Sequence, residues 1–418
     1  MRRGTTPHKV ALRGSSEPRS ARKGLPGRRL VSFSESTRIA EVLIVATRRR
    51  SGRPKGSRAC FVNLLRNPDE PIEALGLTRK LLALSDGLAP LEPAAIDIGE
   101  TMWGNAVLVP QADLPSDGGP WSLATFVQPG LALIAKRIAS GEQGGLGSVP
   151  IAELGSFAEL GPYHMQVKNP KYGLFTVHER PASAVPAEWK LRAGIPALWH
   201  HRAVRNTSLA ASAEALLERR ADRSQSDQDR MLARSGRLHL AADLGMAPQR
   251  VAAVITDTPM LGVSSWISVI PRNPQSGKNE ALCLWLNSTF GLLLRVMHGN
   301  RPYLGRSRVP HELARTMPVL DVDRLSNGQL TTAVAVYADL KHRELQSFSA
   351  LADDPVRREL DERLCREVLG IDPEIAGDIS AKLALEPTLH ARHCRVGSSE
   401  RPRSLGVWLR HGRRIEVA

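Results

Sequence analysis

The chain's 418 residues suffice for two or three domains of ordinary size, and 42% hydrophobic content permits globular cores although only 4% is aromatic. Four scattered cysteines (Cys60, Cys283, Cys365, Cys394) exclude a disulfide framework and a CxxC metal site, and the absence of an apolar segment after the basic start predicts a reduced, cytoplasmic protein. The net charge of +15 is concentrated at the ends, with nine Lys/Arg against one acid in residues 1–30 and seven Arg against two acids in 388–418, so the middle carries only about +2.

Residues 1–29 are rich in Arg, Ser, Gly and Pro without periodicity, which predicts a disordered basic tail. After a short strand-like run at 30–33, IAEVLIVAT at 39–47 is nearly continuously apolar and β-branched, the pattern of a strand buried on both faces. Such a strand needs a larger sheet than the preceding chain supplies. ACFVNLL at 59–65 predicts another strand. Residues 69–84 predict a helix with Pro71 in its first turn and Leu75, Arg79 and Leu82 at helical spacing. AVLVP and SLATFV are short strand candidates before a helix at 129–139 and a Gly-rich linker at 140–150.

The next segment is mixed. YGLFTVHER, IPALWHH, RVAAVITDT and SSWISVIPR are strand candidates, and PMLGV (259–263) joins the last two as an apparent hairpin. The polar stretch 212–239 reads as a helix or helix–loop–helix. Further helices are expected at 278–298, at 326–345 with Leu330, Val334, Tyr337 and Leu345 on one face, at 354–369, and at 373–385. In the third of these, Val356, Leu360, Leu364 and Val368 recur every fourth residue behind Pro355. The expectation is an α+β protein: residues 30–140, a mixed α/β region at 151–310, a mainly helical part at 311–387, and a second basic disordered tail at 388–418.

Enzyme signatures are missing: the chain has no GxGxxG, GxxxxGK[ST], HExxH or GxSxG, so no catalytic, cofactor-binding or metal-binding residue is assigned. HARHC at 390–394 lacks a fourth ligand and reads as incidental. His200 and His201 would point to opposite faces of a strand, which favours a structural role. Three basic clusters remain in the near-neutral middle. The first holds Lys168, Asn169, Lys171 and Tyr172; the second holds Arg202, Arg205 and Asn206; the third holds Arg301, Tyr303, Arg306 and Arg308. Arg suits bidentate contacts to guanine or phosphate, Asn can read adenine, and the tyrosines can stack on an unpaired base. One such cluster is an ordinary solvated loop; three together point to double-stranded DNA as a partner. The apolar run at 281–298, interrupted by Asn287, Ser288, Thr289 and Arg295, falls short of the ~20 residues of a membrane span and predicts a core helix.

ALCLWLNSTFGLLLR, the Gly/Arg loop after it, and ARTMPVLDVDRL resemble the C-terminal region of adenine-specific (N6) DNA methyltransferases of restriction-modification type. FSESTRIAEVLIVATR, FVNLLRNPDEPIEAL and ALWHHRAVRNTSL agree with it. The resemblance covers roughly residues 30–387. It implies that 30–140 is an orphan remnant of the methyltransferase catalytic sheet with its connecting region, and that 151–310 is the DNA target-recognition region. The family's S-adenosylmethionine loop and its [DNS]PP[YFW] motif, which grips the flipped adenine, have no counterpart; NPDE (67–70), NPKY (169–172) and NPQS (273–276) each lack the second proline. The expected role is therefore the specificity half of such an enzyme, inactive in methyl transfer by itself, with no cofactor of its own. S-Adenosylmethionine is implied only for a catalytic domain outside this chain, whether the chain is a truncated product, a decayed gene product or a separate subunit with a catalytic partner. The competing readings are an active S-adenosylmethionine-dependent methyltransferase with an unrecognised cofactor site, and a protein-binding scaffold.

Overall fold

The computed structural model describes residues 58–64, 70–84, 89–98, 101–110, 126, 128, 130–141, 146, 149–179, 194–263, 265–300, 305–386 and 389, with short strands at 408–410 and 413–415. The expected buried strand at 39–47, the N-terminal tail, HARHC beyond Leu389, and the loop residues Arg301 and Tyr303 lie outside the described residues. The chain divides into two compact units, residues 1–115 with 391–418, and residues 116–390.

In the first unit, β1 (Arg58–Leu64), α1 (Pro71–Leu84), β2 (Ala94–Ile98) and β3 (Thr101–Pro110) build an antiparallel sheet of order β1-β3-β2 with a helix on it. Leu77, Ile96, Trp103, Ala106 and Leu108 form its core, with Leu81 and Leu84 packed against them. The helix is where the sequence predicts it, but its buried line is Leu77–Leu81–Leu84. Leu75 and Leu82 face outward, 44% and 69% exposed. Two lines of leucine at helical spacing compete on α1, and contact with β2 selects the first.

The second unit opens with α2 (Leu131–Ser140), β4 (Ile151–Glu153), α3 (Leu154–Phe157), β5 (Ala158–Leu160), α4 (His164–Lys168), β6 (Phe175–Glu179) and β7 (Ile195–Leu198). Then come β8 (Ala210–Ala211), β9 (Ala215–Arg219), α5 (Gln225–Leu232), β10 (Gly236–Ala241), β11 (Asp243–Gly245), β12 (Ala253–Gly262) and β13 (Trp266–Pro271). The remainder is α6 (Lys278–Asn287), α7 (Thr289–His298), β14 (Arg306–Arg308), α8 (His311–Arg315), β15 (Pro318–Leu320), α9 (Asn327–Leu340), α10 (Pro355–Arg363) and α11 (Glu374–Ala384). The C-terminal segment adds the pair β16 (Trp408–Arg410) and β17 (Arg413–Ile415) to the first unit. The protein is α+β.

A mixed eight-stranded sheet of order β5-β13-β10-β12-β7-β9-β6, with β8 alongside β12, is the centre of the second unit. The pairs of β12 with β7 and with β8 are parallel. The expected hairpin between β12 and β13 does not form: β10 lies between them, with Leu238 opposite both Ile255 and Val269. PMLGV is not a turn but the last residues of β12 and the one after it. The polar stretch 212–239 is likewise no continuous helical segment. It is β9, the short helix α5 capped by the Ser224 hydroxyl accepting from the Asp227 N–H, and β10. ALLER in β9 consists of good helix formers, yet its pairing with β6 and β7 makes it a strand, since tertiary context overrides weak propensity.

The predicted helix at 278–298 is two helices bent by 73° at Ser288. Ser288 is extended (ψ 166°) and its hydroxyl accepts the Gly291 N–H, so it caps α7 and ends α6. Asn287, fully buried, accepts the Ala252 N–H at 2.8 Å and donates to the Ala253 carbonyl at 2.8 Å, tying the bend to the start of β12. A side chain at Gly291 would collide with the Trp285 carbonyl, so this position needs glycine. Every residue from Ala281 to Met297 is buried, and no single described helix is long and apolar enough to cross a membrane. On α9 Leu330 and Tyr337 are buried and Val334 is half-buried. The helix ends at Leu340, so Leu345, expected on the same face, is buried in the segment after it. Val356, Leu360, Leu364 and Val368 are buried along α10 and its π-helical continuation, Leu364–Leu369, as expected.

Candidate nucleic-acid interface

The first basic segment is α4 and the turn after it. Asn169 Oδ1 accepts the N–H of Lys171 at 2.8 Å and of Tyr172 at 2.9 Å, an Asx turn that sets both exposed side chains outward. Tyr172 is 66% exposed and the Lys171 ammonium stands 5.1 Å from its ring centre. The turn is braced from behind by Arg220 donating to the Pro170 carbonyl and Arg223 to the Lys171 carbonyl. NPKY is thus a turn whose asparagine oxygen is already occupied, not an adenine-gripping group. The residues of this segment do not fit the family's adenine site, and no step of methyl transfer is assigned to them.

The second segment leaves β7 at Trp199 and reaches β8 at Ala210. Its base is held by Glu214: the carboxylate accepts the N–H of Trp199 at 3.3 Å and of His200 at 3.2 Å, and receives the Asn206 amide at 3.5 Å. Burial raises the Glu214 carboxyl above its ordinary range, against the lowering effect of these bonds and of Arg205. Asn206, 4% exposed, also accepts the Arg202 N–H at 2.8 Å. Its side chain closes the loop from inside. Arg202 and Arg205 are half-buried, and Val204 between them is 92% exposed at the loop tip. His201 is buried, stacked on Trp266 with ring centres 4.7 Å apart and bonded through Nε2 to the Val251 carbonyl at 2.7 Å. Burial depresses its pKa to about 4, so it is a neutral core residue. This is the structural role expected, seen here for His201.

The third segment runs from α7 through β14. Described residues keep Arg306 and Arg308 on β14, antiparallel to β11. Arg308 is exposed, whereas Arg306 is clamped through two nitrogens onto the Asp243 carboxylate and its pKa is raised by that partner. Below this strand lies Arg295, 1% exposed, whose three guanidinium nitrogens have no hydrogen-bond partner among the described residues. Burial lowers its pKa to about 10, and Asp243 is the charge that opposes this.

These three segments are joined by contacts. The Lys168 ammonium sits 4.0 Å from the centre of the Trp199 ring, a cation–π contact between the first and second. Two residues on, His201 stacks on Trp266; Trp266 pairs with Ala241; and Asp243, just beyond, holds Arg306 of the third.

No protein-family model matches the chain, and no curated protein matches it. Among solved structures, the crystal structure of the type IIG restriction endonuclease BpuSI is similar, with 12% sequence identity and a TM-score of 0.41 over 78% of this chain. The match spans 39% of the BpuSI chain, so this chain covers about two fifths of that enzyme's length.

Sequence reasoning did not find Trp199, Glu214 or Asp243, and read Arg295 only as an interruption of an apolar run. Trp199 had a signal, being next to the histidine pair. Asp243 lies 63 positions from its partner Arg306, and no local pattern links them.

Proposed function

We propose that this chain is the DNA-target-recognition portion of an adenine-N6 methylation system of restriction-modification type. The observation that carries this reading is the chain of contacts from Lys168 through Trp199, His201 and Trp266 to Asp243 and Arg306. It links three basic segments that are far apart in sequence, two beside strands of the eight-stranded sheet and the third on the two-stranded sheet β11-β14. Lys171, Tyr172, Arg202, Arg205 and Arg308 would contact the duplex, with Lys171 and Arg308 on phosphates. Methyl transfer belongs, in this reading, to a separate catalytic polypeptide holding S-adenosylmethionine. The resemblance of the LNST-containing segment to that family supports the choice of adenine chemistry.

The experiment is selection of duplexes from a random-sequence pool by the full chain, followed by anisotropy at several salt concentrations. Enrichment of one short motif is the expected result, and a pool recovered with no motif sinks the recognition reading. Lys171→Ala with Arg308→Ala should lower the slope of log affinity against log salt by about 0.9 for each phosphate contact removed.

A further inference from the structure

Away from the three basic segments, a cavity of about 210 Å³ opens among α3, β5 and the ends of α5, β13 and α8. Gly155, Glu159, Leu160, Arg234, Arg272 and Arg315 line it. The arginines arrive from three separate places: the turn after α5, the residue following β13, and the last residue of α8. Backbone carbonyls fix two of them. Arg234 donates to the Leu160 carbonyl at 2.5 Å and the Gly161 carbonyl at 3.4 Å, and Arg272 donates to the Ser156 carbonyl at 2.6 Å. Gly155 packs so closely on the backbone of Arg315 that a side chain there would lie 2.9 Å from the Arg315 carbonyl oxygen, which sets the height of α8 over the cavity.

Each guanidinium carries five N–H donors, and these bonds use only one nitrogen of Arg234 and one of Arg272. None of the three forms an ion pair among the described residues. Glu159 is the one carboxylate in the lining, so the cavity carries an excess of two positive charges. Three like charges held around one concavity repel one another, and the arrangement is stabilised by an anion with several acceptor oxygens. Carbonyl-anchored guanidiniums are also pre-oriented, which lowers the entropy lost on binding.

We infer that this cavity is a phosphate site. The proposal deepens the DNA reading, because a backbone phosphate seated here would give the duplex a contact outside the three loops. It rests on that reading only for what carries the phosphate; a free phosphate has the same chemistry.

The test uses the full chain, with Arg272→Gln/Arg315→Gln as the principal variant because both side chains are exposed. Arg234→Gln is a second variant, with circular dichroism as the folding check. Inorganic phosphate should raise the melting temperature of the wild type and not that of the double variant. Duplex DNA should bind the double variant about tenfold more weakly, with a salt slope reduced by about 0.9 per phosphate lost. If phosphate stabilises only the wild type while duplex affinity is equal in both, the site is real and its carrier is a small phosphorylated molecule. If the wild type binds phosphate but no duplex, the site stands and the DNA function fails. If phosphate leaves the wild type unshifted and the folded double variant binds duplex as the wild type does, the proposal is overturned.

Discussion

Asp361 on α10 accepts two hydrogen bonds from Thr289, one from its backbone N–H at 2.8 Å and one from its hydroxyl at 2.5 Å. Thr289 is the first residue of α7, where N–H groups lack helical partners, so a carboxylate from another helix completes the terminus. Both residues are buried, and Arg357, one turn before Asp361, is buried too, donating to the Asn287 carbonyl at 2.5 Å. Asp361→Ala should cost about 2–4 kcal/mol, because it leaves both Thr289 donors buried without an acceptor, while Arg357 keeps the Asn287 and Arg250 carbonyls and Asp354. Thr289→Ser, which keeps both donors, should cost about 1 kcal/mol or less. Urea denaturation of the two variants separates a polar clamp from mere packing; equal losses would count against the clamp.

The acid response follows chiefly from three buried groups. His201 and His239 have pKa values depressed to about 4 and about 3 by burial, so the stability they contribute is present above their ordinary 6.5 and lost as pH falls through that window. Asp361 runs the other way: burial raises it from 3.8 to about 6, so its contribution is lost as pH rises from about 4 to 6. His298, lowered by burial, acts with the two histidines, and Glu214, raised by burial, acts with Asp361. The two deeply depressed histidines dominate, and stability should fall from pH 6.5 to pH 4. His239→Gln should make that fall shallower, while Asp361→Asn should make it steeper. Denaturation midpoints across this range check both signs, and a shallower fall in Asp361→Asn would contradict the assignment.

Arg295 is a buried charge whose guanidinium makes no hydrogen bond among the described residues, which costs free energy that a methionine of similar length does not. Arg295→Met should be neutral or more stable by about 1–2 kcal/mol, whereas Arg295→Ala should lose about 2 kcal/mol or more to the space left behind. A large destabilisation of Arg295→Met in a thermal melt would mean that the guanidinium is satisfied in solution.

Glu214 positions the Trp199–Asn206 loop without facing solvent, so its effect on DNA is indirect. Glu214→Gln retains an acceptor for the Trp199 and His200 N–H groups and should bind duplex within about threefold of wild type. Glu214→Ala releases all three bonds and should weaken duplex binding about tenfold, mostly through faster dissociation. Equal affinities for the two variants would remove this loop from the interface.

Helices with one clear apolar line were legible in the sequence, as the buried Val356–Leu360–Leu364–Val368 series along α10 shows. The strands IPALWHH, RVAAVITDT and SSWISVIPR were legible too, because β-branched and apolar residues concentrate in them. Their partners were not. GRLHLA of β10 carries a histidine at its centre, which looks like loop sequence until Thr256 and Ser268 contact both ring nitrogens at 3.3 Å. The bend at Ser288 was hidden because the helices on either side of the polar Asn287–Thr289 step are apolar on nearly all faces and give no phase by which a change of axis would show. Of the site, charge clusters could be read locally. Which asparagines face inward depends on Glu214 and on turn geometry, and so on contacts that appear only in the folded chain.

The position of β10 between β12 and β13 has a consequence for how the protein comes to be folded. β12 and β13 are separated by only a few residues, and closing a short loop costs little entropy, so the pairing that forms most readily is one the native sheet excludes. Synthesis from the N-terminus works against this error, since β10 is already present when each of its neighbours emerges. Refolding from denaturant loses that head start. A slow refolding phase that shortens when a turn-breaking proline replaces Ser265 would mark the misplaced hairpin as a kinetic trap.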